Sequence, residues 1–211
     1  MGTDQERSVL TALSNLPATY RVQGHVAEAE EVWNALQESK KNAPDNCDDV
    51  LVSLGDLVLT YLQQGRWKAA QDLGMVVVEK RTILFGEEHP STMTATGNLT
   101  SAYWGLGRWD DAAAMGTRVV DMRKRLLGED NPQTLTSMTN LASTYCSQGH
   151  WKKAEELELQ ILEAKRRTLG EVNPSTLSSM GNLAITYGNM GRYSDAEKLG
   201  KQVVEVNYKV W

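Results

Sequence analysis

Three histidines, His25, His89 and His150, and two cysteines, Cys47 and Cys146, are the residues of this chain best suited to metal binding or nucleophilic chemistry. None stands at ligand spacing from another or from a carboxylate, so neither a zinc site nor a disulfide framework is expected. No Gly-rich phosphate loop, dinucleotide turn or nucleophile beside a base occurs. The chain is therefore expected to be no enzyme and to need no cofactor. What remains is the chemistry of recognition. Asn15, Asn98, Asn140 and Asn182 recur in one phase, with Asp56 as the odd member. A carboxamide offers donors and an acceptor, yet Asn is a poor residue inside a helix. Two explanations stay open: a ladder of amides joining neighbouring helices, or amides facing a bound peptide backbone.

Composition narrows the classes. The chain has 211 residues, 41% of them hydrophobic and 23% charged, with a formal net charge of −5. That is ordinary for a folded domain. The acidic balance argues against a nucleic-acid binder driven by bulk charge. No apolar run approaches the roughly 20 residues of a membrane helix. The opening MGTDQERSVL lacks the apolar core of a signal peptide. With its two cysteines far apart, the chain is expected to be a soluble cytoplasmic protein, free of membrane and nucleic acid.

The elements that position these residues come from an internal repeat. Gly65, Gly107, Gly149 and Gly191 are spaced by 42 residues, and Tyr61, Tyr103, Tyr145 and Tyr187 precede each by four. Ala70, Ala112, Ala154 and Ala196 follow by five; Trp67, Trp109, Trp151 and Tyr193 keep the same phase. A weaker first copy holds Asn15, Leu16, Tyr20, Gly24 and Ala29. Five repeats, about 5–46, 47–90, 91–132, 133–174 and 175–211, fill a single domain over residues 1–211. Each reads as two helices. In the fourth, Asn131 is the N-cap before Pro132, and Leu135, Met138, Leu141, Ala142 and Tyr145 make an apolar stripe over 133–147. Gly149 ends that helix. A second begins near Trp151, buries Ala154, Leu157, Ile161 and Leu162, and stops at Gly170. Neither helix can bury its stripe alone, so the hairpins must stack. About ten antiparallel helices and no sheet are expected.

The run Leu141, Tyr145, Gly149, Trp151, Ala154 resembles the core of a tetratricopeptide repeat, at 42 rather than 34 residues. The phrases LGEDNPQTLTSMTNLASTY and LGEVNPSTLSSMGNLAITY are similar to the kinesin light chain and nephrocystin type. The run QGHWKKAEELELQILEAKRRTLGE resembles arrays in fungal NOD-like receptors. The resemblance implies an all-α, right-handed α-solenoid whose first helices line a concave groove that binds a peptide or protein segment. The candidate ligand-binding residues are then Asn98, Ser101, Trp104, Thr136, Asn140, Ser143 and Asn182. Trp104 has register mates Arg21, Leu62, Cys146 and Gly188, so the scaffold does not demand an aromatic there; contact with a partner and local packing both remain open. The chaperone-tail clamp of the family needs Lys, Arg and Asn at set groove positions. Here one such position holds Ala18, Leu59, Ser101, Ser143 and Ile185, which disfavours that ligand.

Three further expectations concern packing and charge. Trp67, Trp109 and Trp151 are expected to wedge between helices as core residues. Lys80, Arg81, Arg123 to Arg125 and Lys165 to Arg167 are expected to be cations at helix C-termini, with Glu87, Glu88, Glu129, Asp130 and Glu171 just beyond. The last helix is expected to present Leu199, Val203, Val206 and Val210 to a sixth hairpin or to another molecule, giving a homo-oligomer through an uncapped end. The function expected is a protein-interaction scaffold, as in the sensor region of a fungal NOD-like receptor. The alternatives are a self-associating spacer or a regulatory segment of a larger enzyme.

Overall fold

The computed structural model describes residues 47–210. The first repeat, with Gly24 and Trp33, lies outside them, as does Trp211. The described residues are helical: α1 Cys47–Gln63, α2 Trp67–Phe85, α3 Pro90–Gly105, α4 Trp109–Leu127, α5 Pro132–Ser147, α6 Trp151–Leu169, α7 Pro174–Asn189 and α8 Tyr193–Val210. No strand occurs among them. No helix among them is long and apolar enough to cross a membrane. The chain divides into two compact units between Leu106 and Gly107.

The first unit contains α1, α2 and α3. The helix α1 packs on α2, α2 on α3, and α1 also touches α3. Its core gathers Leu51, Leu54, Val58 and Tyr61 from α1, Ala70, Leu73 and Val77 from α2, and Ala95 and Ala102 from α3.

The second unit contains α4 to α8, each packed on the next. It has two separate cores. One joins Ala113 and Val120 of α4, Leu135, Met138 and Leu141 of α5, and Ile161 and Ala164 of α6. The other joins Leu162 of α6 to Leu177, Met180, Leu183 and Tyr187 of α7, with Ala196, Leu199, Val203 and Val206 of α8 packed against it. Ile161 and Leu162 are neighbours in sequence but differ by about 100° around the helix axis. One side chain therefore serves its own hairpin and the other serves the next.

The helix ends follow local chemistry. Asn131 and Asn173 accept from the backbone N–H of Gln133 and Ser175, both at 2.9 Å, and a proline opens each helix. His89 does the same for α3 through Nδ1. Gly149 sits at φ 74°, which lets the His150 N–H reach the Tyr145 carbonyl at 2.8 Å. The residues after Gly65, Gly149 and Gly191 lie against the repeat tyrosine. The Arg66 guanidinium is 4.9 Å from the Tyr61 ring centre, Arg192 is 4.1 Å from Tyr187, and the His150 ring is 6.4 Å from Tyr145. His150 thus has a packing partner in the turn.

Two expectations need correction. Trp109 is 41% exposed, so it is not a core wedge. Trp67 is half-buried and does wedge against the α3 backbone at Gly105, and Trp151 is half-buried. At the C-terminal end, Leu199, Val203 and Val206 turn inward onto the α7 core and are not presented to a further hairpin. The outward position is Val204, 52% exposed, in register with the buried Leu162.

Candidate functional site

Each first helix leaves one stripe uncovered. On α1 it contains Val52, Asp56, Leu59 and Gln63, all exposed. On α3, Thr94 and Trp104 are exposed, with Asn98 and Ser101 half-buried between them. On α5, Thr136, Asn140 and Ser143 are exposed at spacings of four and three, so they lie on one face. On α7, Ser178, Asn182 and Ile185 repeat that arrangement. The seven candidate residues therefore sit on uncovered faces in both units, three on α3, three on α5 and one on α7.

The hydroxyls have a common geometry. Thr136 Oγ1 donates to the Pro132 carbonyl at 2.8 Å, Ser143 Oγ to Thr139 at 3.0 Å, and Ser101 Oγ to Gly97 at 3.2 Å. Each proton is directed back to the carbonyl four residues earlier. The oxygens keep lone pairs for an incoming N–H. The amides complement them. Among the described residues no hydrogen bond joins the side chain of Asn98, Asn140 or Asn182 to anything else in the chain. Among the described residues no ladder between helices forms, and these carboxamides retain donors and acceptor. Helices α3, α5 and α7 carry no charged residue. The α5 and α7 faces can hydrogen-bond an extended backbone but cannot attract a strongly charged one from a distance.

The late second-helix cations divide into two kinds. Arg81, Arg123 and Lys165 share one register position and turn inward. Arg81 donates to the carbonyls of Leu51 and Ser91, both at 2.9 Å. Arg123 donates to the Gln133 carbonyl at 3.0 Å and to Ser137 Oγ; Lys165 donates to the Ser175 carbonyl at 3.3 Å and to Ser179 Oγ at 2.8 Å. Burial lowers the pKa of both Arg123 and Lys165. The other cations face solvent among acids: Arg167 pairs with Asp130, Lys124 with Glu129, and Arg166 with Glu171. The inward trio was not singled out from the sequence. Its signal was available, since among the late second-helix positions only that one is basic in three repeats running.

One other polar cluster lies inside the second unit. Glu158 of α6 is only 7% exposed and its Oε2 has no hydrogen-bond partner. Gly74, Gly116 and Gly200 hold its place elsewhere. Burial raises the Glu158 pKa, a hydrogen bond from Thr186 opposes the rise, and the Glu155 charge adds to it. The Cys146 thiol, 3.6 Å from the Thr186 hydroxyl, is raised chiefly by burial as well. No group of three His, Cys, Asp or Glu side chains among the described residues could hold a metal ion.

Comparison with known proteins bears on both fold and site. Tetratricopeptide repeat family models match residues 107–167, residues 50–91 and 176–209, and residues 93–115. Among solved structures, the kinesin light chain-type protein with nearly identical TPR-like repeats from Podosopora anserina is 28% identical. It aligns over 95% of this chain and 96% of its own, with a TM-score of 0.80. A point variant of that protein gives 28%, 95% of each chain and 0.81. BtubC (BKLC) from P. vanneervenii shares the fold at 19% identity and a TM-score of 0.79, over 94% of this chain and 79% of its own. No curated protein matches the chain.

Proposed function

Since the chain belongs to the tetratricopeptide repeat family, in an array of the kinesin light chain type, we propose that it is a non-catalytic scaffold whose first-helix faces bind a peptide or protein segment. The observation that carries this is the state of Asn98, Asn140 and Asn182. Three carboxamides stand in one register on uncovered faces, with no hydrogen bond among the described residues to offset their cost in a helix. Flanking hydroxyl oxygens hold lone pairs ready to accept. The pair suits an extended backbone, which alternates N–H and C=O. The concave groove implied by the resemblance is where such a segment would lie. The 42-residue register runs unbroken through residues 106 and 107, which supports one repeat domain over 1–211. The run from Gln148 to Glu171, with its likeness to fungal NOD-like receptor arrays, supports a role as the sensor or partner-binding region of such a receptor.

The test is selection of a displayed random-peptide library on the immobilised full chain. Affinities of the enriched peptides are then measured for the chain and for Asn98→Ala/Asn140→Ala/Asn182→Ala. At about 1 kcal/mol for each lost hydrogen bond, the triple variant should bind roughly 100-fold more weakly. Enriched peptides that bind both proteins alike would refute the assignment of the amides.

A further inference from the structure

The repeat provides its own internal control. A residue that the scaffold needs recurs every 42 positions, so a departure confined to one repeat reports a local requirement. Four departures converge on the α1–α3 face of the first unit. Val52, 50% exposed, replaces the Thr94, Thr136 and Ser178 of the other repeats. Leu59, 41% exposed, stands where Ser101 and Ser143 stand, with Ala18 and Ile185 the other apolar members. Trp104, 43% exposed, stands where Cys146 and Gly188 stand. Asp56 replaces Asn98, Asn140 and Asn182. Val52, Asp56 and Leu59 share one stripe of α1, at spacings of four and three. The helix that carries Trp104 touches α1 directly.

Charge separates this face from its counterpart in the second unit. The helices α1 and α3 hold Asp48, Asp49 and Asp56 and no lysine or arginine, whereas α5 and α7 hold no charge of either sign. The Asp56 carboxylate makes no ion pair among the described residues, and two exposed aliphatic side chains flank it. Apolar neighbours lower the local dielectric and strengthen its attraction for a cation.

We propose that the α1–α3 face binds a peptide segment in which aliphatic or aromatic side chains are flanked by Lys or Arg. The aliphatic groups cover Val52 and Leu59, and the base pairs with Asp56. This rests on the scaffold reading above and gives it a partner class. The preference is set by α1 and α3, while the neutral α5 and α7 faces are indifferent to side-chain charge.

Three fluorescein-labelled synthetic peptide sets test it against the full chain by anisotropy. One carries apolar anchors with Lys/Arg flanks, one the same anchors with Glu flanks, and one Ser anchors with Lys/Arg flanks. The first set should bind about tenfold or more tighter than either other, and its advantage over the Glu set should shrink as salt is raised to about 0.5 M. Two variants install residues that the fold already uses at these positions. Asp56→Asn should erase the preference for basic over acidic flanks. Leu59→Ser should weaken the first set several-fold without erasing the charge preference. Equal affinity for basic and acidic flanks, or an unchanged preference in Asp56→Asn, overturns the proposal. If peptides bind without charge preference and Asn140→Ala abolishes the binding, the scaffold reading survives and this inference alone fails. Binding by no peptide of any set overturns both.

Discussion

Trp67 of α2 lies so close to Gly105 of α3 that a β-carbon at Gly105 would stand 2.2 Å from the indole Cδ2. The other first helices carry Gln63, Ser147 and Asn189 at this position, so the glycine answers a local contact and not a backbone need. The indole rests on bare helix backbone next to Trp104. The contact fixes the C-terminal turn of α3, from which Trp104 projects.

Gly105→Ala should therefore destabilise the protein by about 1–3 kcal/mol, the usual range for forcing extra volume into a packed contact, despite the better helix propensity of alanine. Gly97→Ala in the same helix meets nothing within 4 Å and should stabilise by about 0.5–1 kcal/mol. Urea denaturation of the two variants gives opposite displacements of the midpoint if the contact is as described.

The inward cations predict a sharp difference between residues two positions apart. Arg123→Met removes donors to the Gln133 carbonyl and Ser137 Oγ, and should cost about 1.5–3 kcal/mol, the range for hydrogen bonds to a charged group. Arg125→Ala on the same turn should stay within about 0.5 kcal/mol. Equal midpoints for the two would remove the distinction between inward and solvent-facing bases.

Glu158 predicts a pH dependence of definite sign. Its folded-state pKa is raised, first by burial, above the ordinary 4.5. The stability linked to it is complete below that ordinary value and is lost as pH rises through the folded value. Glu158→Gln, which cannot ionise, should be more stable than the parent near neutrality. The difference should close as the solution is acidified towards pH 4.5. A constant difference across that window would show that the carboxyl does not titrate where its burial requires.

The last helix predicts which valine tolerates charge. Val203 and Val206 face the α7 core, so Val203→Glu should loosen the final hairpin by about 3 kcal/mol or more. Val204→Glu, on the uncovered side, should change stability by about 0.5 kcal/mol at most. Amide exchange in α7 and α8 distinguishes them: it accelerates in the first variant only.

The difference between Val203 and Val204 also marks where sequence legibility ended. The 42-residue phase placed helix ends closely; residues 133–147 were expected helical and Pro132–Ser147 is the helix. Turn glycines and the Asn131 cap followed from local chemistry that needs no tertiary information. The second helices were harder because each has two apolar stripes about 100° apart, one for its own hairpin and one for the next. A single apolar period cannot say which stripe is which, so the sequence alone reads Val203 as outward. The same ambiguity hid the inward turn of Arg81, Arg123 and Lys165 behind an ordinary cluster of bases. The size of the Trp109 ring suggests burial, whereas the side chain is 41% exposed. The uncovered stripes on α3, α5 and α7 follow from the phase; that the described amides form no ladder depends on tertiary spacing the phase does not carry.

Every packed helix pair in each unit joins elements adjacent or next-adjacent in the chain, and α6 alone links the two cores of the second. Loops so short cost little entropy to close, and topologies built on near neighbours fold quickly. On a ribosome, the Ile161 core can be complete while the α7 segment is still inside the exit tunnel, with Leu162 left waiting as a half-made seam. Synthesis then adds one hairpin to a surface already formed, and among the described residues no packed helix pair requires a distant part of the chain to have been made.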